Sequence, residues 1–77
     1  MSTYFSFTNP ITKQELEDLG VNFDADGYIV DEDNDNQLET KDGLDGIIYG
    51  FTRYARYDAE YLLDILDDNG IKWVDEG

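Results

Sequence analysis

A formal charge of −14 on 77 residues, from 19 Asp and Glu against 5 Lys and Arg, constrains this chain more than any other feature. Small soluble domains carry a net charge of about 2–8 in magnitude. Most of these carboxylates must stay in water, so the folded body has to be built from the remainder. At this length one domain is expected, residues 1–77. Its core is small, because such chains bury only about 60% of their extended surface. High net charge favours disorder, but the rest of the composition opposes it. Eleven aromatics (6 Tyr, 4 Phe, 1 Trp) and 40% hydrophobic residues predict a folded chain with an aromatic core.

The absence of Cys and His excludes disulfides, Cys/His zinc sites and chemistry through imidazole or thiolate. No apolar run reaches the length of a membrane span, and the opening MSTYFSFTNP lacks the features of a signal peptide. A cytoplasmic protein is expected.

Several elements are legible along the chain. Residues 4–8 alternate as a short strand with Phe5 and Phe7 on one face, ended by Asn9-Pro10. Thr12 and Glu15 form a capping box, Ile11 and Leu16 a hydrophobic staple, and Gly20 a left-handed stop, which predicts a helix over about 12–19. Two β-prone runs flank Asp24-Ala25-Asp26-Gly27 and read as a hairpin. Residues 31–46 are polar and read as a loop. The segment 46–54 has apolar residues at helical spacing, but its glycines and its β-branched and aromatic residues point to strand. Asp58 caps a second helix whose apolar face is Ala59, Leu62, Leu63 and Leu66. Asn69-Gly70 ends it, and residues 71–74 form a last strand. Together these predict a small α+β domain, a short antiparallel sheet packed with two helices.

The charge is not spread evenly. Residues 24–45 hold Asp24, Asp26, Asp31, Glu32, Asp33, Asp35, Glu39, Asp42 and Asp45 against one base, Lys41. On the second helix, Glu60, Asp64, Asp67 and Asp68 recur at i, i+4, i+7 and i+8, a stripe opposite the apolar face. Asp67 and Asp68 fall in the last turn, where the helix dipole disfavours a carboxylate by about 0.3–1 kcal/mol. A charged helix face is usually just a solvated face. Acid at the wrong end of a helix tilts the reading toward function. Four residues of helix advance about 6 Å, close to the roughly 6–7 Å between phosphates along one DNA strand. Such a stripe suits a basic nucleic-acid-binding protein as partner, while the same charge argues against direct contact with nucleic acid.

In size, acidity, aromatic content and the acidic runs at 31–35 and 60–68, the chain resembles the class of small phage and mobile-element inhibitors, the anti-CRISPR and anti-restriction DNA mimics. The resemblance implies a module that inhibits a CRISPR or restriction complex by mimicking or displacing DNA in the host cytoplasm. On this reading the contacts to the partner are Asp31, Glu32, Asp33, Asp35, Glu60, Asp64, Asp67 and Asp68. No cofactor, metal or catalytic role is expected.

The alternative is a calcium-binding EF-hand-like or generic acidic adaptor protein. Asn22, Asp24, Asp26, Gly27, Tyr28, Ile29 and Asp33 follow the EF-hand register. However, Asn stands at the first ligand position, Asp at the closing one, and no amphipathic exit helix follows. A hairpin turn is the better reading. Tyr49, Tyr54, Tyr57 and Tyr61 exceed what a small core hides, and Tyr is enriched in interfaces. Arg53 and Arg56 are expected to cross-link internally to the acidic loop.

Overall fold

Two glycine-terminated helices and a set of short strands appear where local signals are strongest. In the computed structural model, which describes residues 2–31 and 36–77, α1 spans Lys13–Asp18 after β1, Ser2–Thr12. Thr12 caps α1: its hydroxyl accepts the Glu15 N–H at 3.1 Å and donates to the Glu15 carboxylate. Gly20, at φ +102°, ends it by donating to the Glu17 carbonyl while Val21 donates to that of Leu16. That pair of bonds is a Schellman stop, with Leu16 and Val21 both buried beneath it. The hairpin forms as expected, with β2 (Asn22–Phe23) antiparallel to β3 (Ile29–Val30).

The remaining elements are β4 (Gln37–Asp42), β5 (Ile47–Tyr54), α2 (Glu60–Asp68) and β6 (Trp73–Asp75). Among the described residues the strands form one six-stranded sheet, ordered β2-β3-β4-β5-β1-β6, with every neighbour antiparallel. This corrects the expected α+β domain with two packing helices. The sheet dominates, α1 is under two turns long, and α2 is the one substantial helix.

Three local expectations are corrected with it. The first strand does not stop at Asn9-Pro10 but runs on to Thr12. Between the Ser6–Gly50 and Ile11–Ile48 pairs, β1 advances five residues while β5 advances two. Pro10, which has no N–H to give a ladder, sits in that bulge, a position that tolerates it. Residues 31–46 are not simply a loop, because β4 lies inside them. Its return to β5 is a tight turn with Asp45 at φ 58° and Gly46 at φ 76°, closed by the Ile47 N–H on the Leu44 carbonyl. Two successive left-handed residues match the twist of a hairpin. The last strand begins at Trp73, two residues later than expected.

The core lies on one face of the sheet. Phe5 stacks on its cross-strand partner Phe51 at 5.0 Å, Trp73 meets Phe5 edge-on at 5.6 Å, and Phe7 lies 6.0 Å from Phe51. Ala59, just before α2, and Leu62 and Leu66 within it join the same buried cluster, so α2 covers this face. The other face carries Tyr4, Ser6, Gly50 and Thr52 across the central strands. No helix among the described residues is long and apolar enough to cross a membrane.

Candidate functional site

The spacing that buries Leu62 and Leu66 turns Glu60, Asp64, Asp67 and Asp68 outward, and all four are exposed. The carboxylate of Asp58 accepts the Glu60 N–H at 2.7 Å from two positions before the first helical residue; the N-cap position itself is Ala59, one residue later than expected. At the far end Gly70, at φ +70°, donates to the Asp67 carbonyl and Ile71 to that of Leu66, repeating the stop that ends α1. The last turn holds no base. The two carboxylates there differ. Asp67 accepts the Trp73 indole N–H at 2.9 Å and so ties α2 to β6. Its position at the negative end of the dipole therefore has a structural reason. Asp68 projects into solvent with no such bond.

The second acidic group meets the helix at its other end. Asp31, half-buried, accepts the side-chain N–H of Asn36 at 2.7 Å. Asn36 in turn accepts the backbone N–H of Asp58 at 3.1 Å. Asp31 also acts electrostatically on Tyr61 in the first turn of α2. Asn36 thus links Asp31 to the start of α2, along which Asp58, Glu60, Asp64 and Asp68 are exposed, over a helix about 13 Å long. Glu32, Asp33 and Asp35 lie outside the described residues. The sequence reading missed Asn36, an amide in a polar run that carries no signal until α2 docks against it.

Among the described residues, three of the five bases are engaged away from the α2 carboxylates. Lys13 sits over the Phe23 ring at 5.1 Å and Arg56 over the Tyr57 ring at 4.8 Å. Arg53 donates to the Tyr57 carbonyl at 3.1 Å and to the Thr3 hydroxyl at 3.4 Å. Among the described residues, Arg53 and Arg56 do not cross-link to the acidic loop as expected, and residues 32–35 of that loop lie outside them. They fasten the β5–α2 connection to its own backbone and rings instead. Neighbouring carboxylates on α2 therefore repel one another in the free protein. Raising salt from low to near-molar is expected to raise the melting temperature, because it screens that repulsion. A melting temperature that falls with salt would mean the row is internally paired.

The 22–30 segment uses its first Asp as a backbone clamp. One Asp24 carboxylate oxygen accepts the N–H groups of Asp26 and Tyr28, both at 2.9 Å, and the Asp24 N–H donates to the Tyr28 carbonyl. Gly27 takes φ +91° to close the turn. No group of three carboxylates converges among the described residues.

Tyr61 has a hydroxyl that is buried without a hydrogen-bond partner among the described residues. Burial first, and the Asp31 charge second, push its pKa well above its ordinary value of about 10. The folded chain therefore holds this proton more tightly than the unfolded chain. The contribution to stability is intact below about pH 10 and falls as pH rises beyond it, where only the unfolded state ionises readily. Tyr61→Phe is expected to flatten the loss of stability between about pH 9 and 11 without lowering stability at pH 7. Urea unfolding at each pH checks both statements.

The chain matches no family model, no curated protein and no solved structure.

Proposed function

We propose that this chain is an acidic protein-binding module that occupies the nucleic-acid-binding surface of a basic effector, of the CRISPR or restriction kind, inside a host cell. It acts by mimicking or displacing DNA and performs no catalysis. One observation carries the reading. Glu60, Asp64 and Asp68 stand exposed along one side of a rigid helix, linked through Asn36 to Asp31 at its start, and among the described residues the nearby arginines are bound elsewhere. Carboxylates one helical turn apart recur at about 6 Å, a spacing that phosphate-binding Lys and Arg accept. A surface of one sign also accelerates encounter with a partner of the other.

The test is affinity capture by the immobilised full chain from candidate host lysates at low salt, followed by elution with duplex DNA. A captured nucleic-acid-binding protein that DNA displaces is the expected result. Its binding should weaken as salt rises, with a shallower slope than for DNA, whose counterion cloud is denser. A partner that binds DNA and this chain together would overturn the proposal.

A further inference from the structure

β6 ends the strand order, and among the described residues no strand lies beyond it. Its inner edge is taken up by β1. Phe5, Ser6 and Phe7 stand opposite Asp75, Val74 and Trp73. The Lys72 carbonyl accepts the Thr8 N–H, and the Glu76 N–H donates to the Tyr4 carbonyl. Backbone groups alternate in direction along an antiparallel strand. With Lys72 and Glu76 bonded inward, Val74 midway between them also faces β1, and the N–H and C=O groups of Trp73 and Asp75 point outward. Side chains alternate as well. The Glu76 carboxylate accepts the Ser6 hydroxyl on the sheet face away from α2, while Trp73 packs edge-on against Phe5 on the other. Lys72, Val74 and Glu76 therefore share one face, and all three are exposed, Val74 by 48%. An open edge of this kind is a template for another strand.

From this geometry we infer that the outer edge of β6 pairs antiparallel with β6 of a second copy, in an isologous dimer about a two-fold axis normal to the sheet at Val74. That axis sets Trp73 opposite the copy's Asp75, and Asp75 opposite the copy's Trp73, so outward groups meet outward groups. Each such pair exchanges two N–H···O=C bonds. The same register lays Val74 beside Val74 and Lys72 opposite Glu76 at both ends. These are the non-hydrogen-bonded positions, where Cα atoms stand about 4.5 Å apart and side chains are closest. Opposite charges facing there are favourable. Other registers fit less well. A slip of one residue sets inward groups against outward ones. An axis at Asp75 opposes two carboxylates, and an axis at Trp73 sets Lys72 against Val74 and loses both ion pairs. The order Lys-Trp-Val-Asp-Glu is its own antiparallel complement in charge, which selects a second copy over an unrelated strand. Two bodies of −14 repel, so the dimer tightens as salt screens them, the opposite of an acidic row on a basic partner. The inference does not depend on what α2 binds.

Sedimentation equilibrium on the full chain, from micromolar to millimolar concentration, tests the dimer. The parent is expected to pass from monomer to dimer over that range at physiological salt and to associate less at low salt. Lys72→Glu sets Glu against Glu at both ends, and Glu76→Lys sets Lys against Lys. Each variant alone is expected to self-associate at least about tenfold more weakly than the parent. Mixed in equal amounts, the two restore both ion pairs at the parent's total charge, and a heterodimer as tight as the parent dimer is expected. Asp75→Pro removes an outward N–H that β1 does not use, and an edge strand tolerates proline. It is expected to keep a cooperative melt and lose the dimer. The charge variants, which leave the backbone intact, decide the question if proline disturbs β6. A parent that stays monomeric throughout, a folded Asp75→Pro chain that dimerises as the parent does, or charge variants that each self-associate as the parent does would overturn the inference.

Discussion

Gly50→Ala is expected to abolish cooperative folding or to leave the domain barely stable. Gly50 of β5 is paired with Ser6 of β1. A methyl group there would run into the Phe5 carbonyl oxygen and come within 3.0 Å of the Ser6 Cα and 2.8 Å of the Tyr4 hydroxyl oxygen. Two of those neighbours are backbone atoms of the central strand and cannot swing aside. Overpacking of this kind costs on the order of 3 kcal/mol, against a stability of only about 3–5 kcal/mol for a single small core. Gly43→Ala is the control. The nearest atoms to a methyl there all belong to the side chain of Tyr49, which is exposed and can rotate away. Urea unfolding should show a small shift for Gly43→Ala and the loss of the transition, or most of it, for Gly50→Ala. Equal effects would contradict the close approach of β1 and β5.

The quadruple variant Glu60→Gln, Asp64→Asn, Asp67→Asn, Asp68→Asn is expected to stabilise the free protein and to weaken binding to its partner. Removing like charges, and carboxylates from the negative end of α2, relieves about 0.3–1 kcal/mol at each of Asp67 and Asp68. In a domain of this size each kcal/mol raises the melting temperature by about 4–8 °C. Asn at position 67 still offers an oxygen to the Trp73 indole N–H, so the α2–β6 tie survives. Binding should change in the other direction. A carboxylate at the rim acts mainly on the association rate, and one buried at the centre of the contact is worth about 2–5 kcal/mol. Opposite signs for stability and affinity separate a partner-binding row from a solvated one. A variant that blocks nucleic acid as well as its parent would remove α2 from the proposed interface.

Much of the local structure was legible in particular residues. Thr12 with Glu15, and Gly20 and Gly70 after their helices, specify bonds within a few residues of themselves, and those bonds form. The Asp24–Gly27 turn and the apolar face of α2 are of the same kind. The strand at β5 was readable from its β-branched and aromatic content despite apolar spacing that also suited a helix. Asp45-Gly46 carried a hairpin signal as plain as Asp26-Gly27. The polar run before it does not pattern as a strand, so the turn has no visible first arm.

β4 marks the limit of such reading. Leu38 is its one fully buried side chain, and the rest of Gln37–Asp42 is polar because one face of the strand meets solvent. Nothing in that pattern distinguishes it from a loop. It becomes a strand because β3 and β5 offer backbone partners on either side. The same holds for β1 beyond Ser6, where pairing with Ile48 and Ile47 carries the strand past a proline.

The candidate surface divides likewise. The exposed row on α2 followed from helical periodicity alone, since a face that buries Leu62 and Leu66 turns Glu60, Asp64 and Asp68 to water. That Asp67 holds Trp73, that Asn36 links Asp31 to the start of α2, and that Arg53 and Arg56 turn away from the α2 carboxylates depended on contacts between segments far apart in the chain. Caps, turns and amphipathic faces are set by interactions within about one turn of chain, so the sequence alone determines them. Strand order, register and the partner of each charged side chain depend on which distant backbones meet, and only the folded sheet decides that.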